Sequence, residues 1–139
     1  MSIYHEKYLE GLRLFNDEEF FDSHDVLEEL WQETAGEEKK FYQGLIQIAI
    51  SLFHFGNGNL GGAKKLYGTA RKYLEAYRPT YLGLDVDKLL TDHAACFAEL
   101  LASTEAYPSH IELRDELVPK IKLPLAPLGI GLYTSSMML

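Results

Sequence analysis

Apolar residues recur at intervals of three and four along nearly the whole chain, the period of an amphipathic helix. Strand-like alternation is scarce before the C-terminal tail. Tyr4, Tyr8, Leu12 and Phe15 stripe a first helix that ends near "NDEE". Asn16 or Asp17 is expected to cap the second helix, with Glu18 and Glu19 in its first turn, where the helix dipole favours carboxylates. On a wheel of about 100° per residue, Phe20, His24, Leu27 and Trp31 share one face of that helix. Glu28 stands at the margin, and Asp22, Asp25, Glu29 and Glu33 lie opposite. His24 thus occupies a position where a leucine is expected.

The third helix, predicted over 37–55, is apolar on most sides. Phe41, Leu45, Ile48, Leu52 and Phe55 line one face, while Tyr42, Ile46 and Phe53 widen it; Gln43, Gln47, Ser51 and His54 form the polar strip. Such a helix belongs at the centre of a bundle. "GNGNLGGA" then turns the chain, with Gly56 or Gly58 suited to the left-handed helix end and Asn59 to the next cap. A fourth helix buries Leu66, Tyr67, Ala70, Tyr73, Leu74 and Tyr77 and stops before Pro79. Asp85 is expected to cap a fifth, after the loop "RPTYLGL", which buries Val86, Leu89, Leu90, Phe97, Leu100 and Leu101. From Ile111 onward the helical period is lost and three of the five prolines appear, leaving at most one short helix over 111–118. The reading is all-α: a compact bundle of about five helices over 1–118, with an extended Pro/Gly-rich tail over 119–139 packed on the domain or on a second copy.

Composition narrows the picture. At 139 residues, 47% hydrophobic and 24% charged, the chain has the makings of one globular domain able to bury a core without staples. A net charge of −8 argues against a nucleic-acid partner, since phosphate binding is driven by Lys and Arg. The lone cysteine, Cys96, excludes an internal disulfide and fits a reducing compartment. No signal peptide is read at the N-terminus, and "LIQIAISLFHF" is too short and too interrupted to span a bilayer. The expectation is a cytoplasmic protein with no membrane partner.

Chemistry is expected at one place, where the polar positions of the second and third helices face each other. His24 and Glu28 stand one turn apart, as do Gln43 and Gln47, with His54 two turns further along. Trp31 adds an indole N–H beside them. Three arrangements fit these residues. The residue types favour a buried hydrogen-bond network in which Glu28 orients His24. A small-ligand pocket is the second. A metal centre on His24, Glu28 and His54 is the third, weakened because the metal-binding spacings of helical bundles are missing and amides ligate poorly. No cofactor is implied. Ser23 and Ser51 lack a nucleophile elbow, and Cys96 is read as packing, with His93 at the helix edge. The acidic stripe of the second helix and the basic stripe of the fourth (Lys64, Lys65, Arg71, Lys72) leave room for a homo-oligomer or protein partner. Function is read as a binding or structural module built around this cluster; the alternative is a small metal- or ligand-dependent enzyme using the same residues, with His24 or His54 as acid–base.

"FFDSHDVLEELW", "FYQGLIQIAISLFHFGNGNLGGAKKL" and "GLDVDKL" together resemble the signature blocks of the domain of unknown function 309 family of prokaryotic proteins. The resemblance runs over roughly 15–90 and rests on the order of His24, Glu28, Glu29, Trp31, Gln43, Gly44, His54, Gly58, Asn59, Gly62 and Ala63. It implies a compact all-helical domain, and it brings no activity, substrate or cofactor with it.

Overall fold

The computed structural model describes residues 4–104 and 110–124. Its elements are α1 (Glu6–Asn16), α2 (Phe20–Gln32), α3 (Glu38–Gly56), α4 (Leu60–Leu74), β1 (Thr80–Tyr81), β2 (Leu84–Asp85) and α5 (Val86–Ala102). Consecutive helices α1 to α4 pack on their neighbours, and α3 carries the most extensive contacts, with α2 on one side and α4 on the other. Ten of its residues are buried, from Phe41 to Phe55, so the helix read as apolar on most sides is the central one.

Close packing depends on two positions without side chains. A Cβ on Gly44 would stand 2.6 Å from Leu74 Cγ and 3.2 Å from Tyr73 Cβ, so α3 and α4 approach only because residue 44 is glycine. Gly11 plays the same part between α1 and α2, where its missing Cβ would meet Leu27 Cγ at 2.6 Å. Ser23 Oγ fixes that second junction by donating to the Gly11 carbonyl at 2.7 Å.

The caps agree with the sequence in two places and depart in a third. Asn59 Oδ1 accepts from Gly62 N at 3.1 Å, and Asp85 Oδ1 accepts from Lys88 N at 2.9 Å, so both serve as N-caps. The start of α2 differs: Glu19 holds the cap position and makes no side-chain cap bond. Asn16 is engaged elsewhere. Its amide donates to the Ile121 carbonyl and accepts from Ile121 N, both at 2.7 Å, as a strand neighbour would.

That contact anchors the C-terminal segment. Val118, Pro119, Ile121 and Pro124 are buried, and Lys120 Nζ donates to the Asn16 carbonyl at 2.7 Å. The single short helix expected over 111–118 is reduced to a 3-10 turn at Asp115–Leu117. The apolar positions from Leu125 to Leu139 lie outside the described residues.

Between α4 and α5 the predicted loop is a small antiparallel hairpin, pairing Thr80 with Asp85 and Tyr81 with Leu84. Leu82 and Gly83 both have positive φ, 47° and 74°, the two-residue turn that joins twisted strands. Leu82 is tolerated there because its carbonyl accepts from the buried Tyr8 hydroxyl at 3.0 Å. Leu101, expected inward on α5, is 39% exposed.

Candidate functional site on the α2–α3 face

α2 turns a different face inward than the helical wheel suggests. Its buried residues are Phe20, Ser23, Leu27 and Leu30. His24 is rotated to the rim, with its side chain 20% exposed, and Glu28 is 48% exposed. Ser23 satisfies its hydroxyl on Gly11 and can therefore take the core position that the wheel gave to His24.

Around His24 the contacts are loose. Its Nε2 is 3.8 Å from Glu28 Oε2, an ion pair only when the ring is protonated. Asp25 Oδ1 comes within 3.1 Å of Nδ1, yet it is off the line of the ring N–H, and Nδ1 is a buried atom with no hydrogen-bond partner. Gln47 Oε1 on α3 is also buried and unpartnered. The helices run antiparallel, with Phe21 5.3 Å from Phe53 at one end and the Lys39 ammonium 4.0 Å from the Trp31 ring at the other. Those two pairs place His24 and Gln47 at similar heights along the interface. No hydrogen bond joins them.

The remaining members are dispersed. His54 Nδ1 is 3.3 Å from Asn59 Nδ2, and this ties it to the cap of α4. Trp31 sits beneath Lys39, whose ammonium also donates to the carbonyls of Trp31 (2.8 Å) and Thr34 (3.2 Å) and so closes the C-terminal end of α2. Gln43 is half-buried on the α3 strip. Among the described residues, His24 and His54 are linked through a chain of aromatic rings: Phe21 is 5.5 Å from His24 and 5.3 Å from Phe53, which is 6.0 Å from His54. Phe21, 48% exposed, was not among the residues the sequence singled out, because on a wheel it reads as a solvent-side apolar residue.

The expected convergence is therefore partial. His24 comes within 3.8 Å of Glu28 on its own helix, but no hydrogen bond joins either to Gln47 or His54, Glu28 does not fix the ring and the dense network is not formed. Among the described residues, no group of three or more His, Cys, Asp or Glu side chains is arranged to hold a metal ion. Two of the larger clefts lie away from His24. One, of about 500 Å³, is between the Phe55–Leu60 turn and Ile111–Asp115; the other, of about 480 Å³, is between α3 and α4.

A denser polar arrangement occurs on α5, where His93 is fully buried instead of standing at the helix edge. Its Nε2 is 2.9 Å from Ser51 Oγ, and Ser51 in turn donates to the Ile48 carbonyl at 2.7 Å. With its one hydroxyl hydrogen already committed, Ser51 accepts from His93 Nε2–H, so in the neutral ring Nδ1 is the acceptor nitrogen, and it has no hydrogen-bond partner. Burial, and after it the Arg71 charge, lowers the His93 pKa to about 3. Burial also pushes the Cys96 thiol up to about 11, which leaves it a packed thiol and a poor nucleophile.

These features define a small all-helical domain with its polar signature on α2, α3 and the α3–α4 turn. The family described as "Domain of unknown function (DUF309)" matches residues 8–66, which takes in His24 through Ala63 but stops short of the block "GLDVDKL". An "Uncharacterized protein YpuF" of Bacillus subtilis (strain 168) is 32% identical over 119 residues, which cover 82% of this chain and 68% of the relative. An "Uncharacterized protein" of Aquifex aeolicus (strain VF5) is 46% identical over 46 residues, 32% of this chain and 14% of that longer protein. The chain belongs to the DUF309 family. Among the described residues, no helix is long and apolar enough to cross a membrane.

Proposed function

We propose that this chain is a small cytoplasmic binding module whose α2–α3 face, with His24, Glu28 and Gln47 at its centre and His54 at one end, receives a small polar ligand. The observation that supports this reading is that two polar atoms on adjacent helices, His24 Nδ1 and Gln47 Oε1, are buried without a hydrogen-bond partner. Folded proteins pair nearly all such atoms, and each one left unpaired costs about 1–3 kcal/mol. A ligand with a donor for the Gln47 carbonyl oxygen and a polar group for the His24 ring would recover that cost. The exposed Phe21 ring and the Glu28 carboxylate flank the position where it would sit. A buried Cys96 held as a thiol suits the reducing cytoplasm.

Gln47→Leu separates this reading from a structural role. Removing an unsatisfied amide should raise the denaturation midpoint, while the response of the folded chain to a metabolite that shifts its melting temperature should vanish. A Gln47→Leu variant that is less stable than the parent would show the amide to be structural and would refute the ligand site.

A further inference from the structure

The cleft of about 480 Å³ between the N-terminal end of α3 and the C-terminal end of α4 is lined by Lys40, Thr69, Lys72, Tyr73, Ala76 and Tyr77. We propose that it is a second binding site, for a small phosphorylated metabolite with a planar ring, of the nucleoside monophosphate class. Its volume lies within the roughly 300–1,000 Å³ typical of small-molecule sites.

Charge is the first argument. The chain carries a net charge of −8, and most of its lysines and arginines near carboxylates are paired: Lys7 with Glu33, Arg78 with Asp87, Lys120 with Glu18. Lys39, Lys40, Lys64, Lys65, Lys72 and Lys122 form no ion pair among the described residues, and of these Lys40 and Lys72 line the cleft, each from its own helix. The two helix ends at the cleft carry opposite partial charges of about half a unit each and offset one another, so the ammonium groups set the local field. Glu37 and Glu38 are the acidic groups at the margin, and both act on Tyr77. The Tyr77 hydroxyl donates to the Glu37 backbone carbonyl at 2.7 Å, and burial together with the two carboxylates keeps that phenol protonated.

The walls are the second argument. Tyr77 is held rigidly by rings at its back, 5.3 Å from Phe41 and 4.6 Å from Tyr81. Tyr73 is seated by the missing side chain of Gly44, and its hydroxyl has no hydrogen-bond partner among the described residues. Two tyrosines thus offer flat apolar surface with a free phenol, next to two unpaired cations. A ring bearing a phosphate uses both; a bare anion uses only the lysines, and a bare nucleoside only the walls.

The test is calorimetric titration of the full chain with adenosine monophosphate, inorganic phosphate and adenosine, at low and at physiological salt. The monophosphate should bind saturably, more weakly as salt rises, and at least tenfold more tightly than either fragment. Lys40→Gln and Lys72→Gln should each weaken it about tenfold, while Lys122→Gln, on the C-terminal segment, should leave it unchanged; melting temperatures confirm that all three fold. No saturable binding, or binding indifferent to Lys40 and Lys72, would overturn the site. Phosphate or adenosine alone matching the monophosphate would overturn its class. A ten-residue adenylate strand bound far more tightly with the same lysine dependence would overturn the small-ligand assignment in favour of single-stranded nucleic acid.

Discussion

Ser51 Oγ stands 2.9 Å from His93 Nε2 in a part of the core that solvent does not reach. The bond ties α3 to α5 across 42 residues of chain, and the Tyr67 ring of α4 lies over the same imidazole at 4.7 Å. Three helices therefore meet on one neutral histidine. The pair has the spacing of a nucleophile and its base, but the serine proton is already given to Ile48 and, among the described residues, Nδ1 has no hydrogen-bond partner. It is a junction, and it makes stability sensitive to pH.

The folded pKa of His93 lies near 3, below the unfolded value of about 6.5, so the folded state prefers the neutral ring. Its contribution is fully present above pH 6.5 and is lost as pH falls from 6.5 toward 3. By pH 4 the loss is at most about 3 kcal/mol, with carboxylate titration superimposed. Urea midpoints measured from pH 8 to pH 4 should fall more steeply for the parent than for His93→Gln, which keeps an N–H for Ser51 but cannot titrate. Parallel curves for the two proteins would remove His93 from the account.

Glycine positions on the two sides of α4 should respond in opposite ways. Gly44→Ala drives a Cβ into Leu74 Cγ, which is fully buried and cannot swing away, at a cost of about 1–3 kcal/mol. Gly68→Ala on α4 meets nothing within 4 Å and should add about 0.4–1 kcal/mol by restricting the unfolded chain. Denaturant midpoints of the two variants decide the matter. A neutral Gly44→Ala would mean that α3 and α4 are not held in register by this contact.

Helix number, the central place of α3, and the caps at Asn59 and Asp85 were legible in the sequence because period and cap chemistry are local. The orientation of α2 was not. On a wheel, Ser23 and His24 differ by one step, and apolarity favours neither for the core. Only the Gly11 carbonyl, brought across by α1, makes Ser23 the better buried residue. His93 was misplaced for the same reason: its partner Ser51 lies on another helix. Asn16 reads as a cap until the chain returns more than a hundred residues later to occupy its amide. The hairpin at Thr80–Asp85 escaped notice because two-residue strands are too short to show alternation, and its turn places a leucine at positive φ.

Asn16 offers a way to release the C-terminal segment without shortening it. Its amide makes both backbone hydrogen bonds to Ile121, and Asn16→Ala leaves that N–H and C=O unpaired where they are partly buried. A cost of about 1–3 kcal/mol is expected. Hydrogen exchange at Ile121 should accelerate toward the rate of a free chain, while exchange in the middle of α3 accelerates only as far as the loss of global stability requires. Equal effects at both sites would show that the segment is an integral part of the bundle and not a separately opening strap.

The rim position of Glu28 reverses an expectation drawn from the sequence. A buried Glu28 orienting His24 would make Glu28→Ala costly by about 1–3 kcal/mol through the orphaned ring. With Glu28 about half exposed and 3.8 Å from Nε2, that dependence is gone. Glu28→Ala should shift stability by no more than about 0.5 kcal/mol, the range of an ordinary surface change. His24→Ala should cost more, because the ring packs against Phe21 and is four-fifths covered. The discriminating measurement is the double variant. Additive effects on the urea midpoint mean that the two side chains stand side by side without coupling, free to act on a third group between them. A coupling above about 1 kcal/mol would restore the structural pair and weaken the case for a ligand on this face.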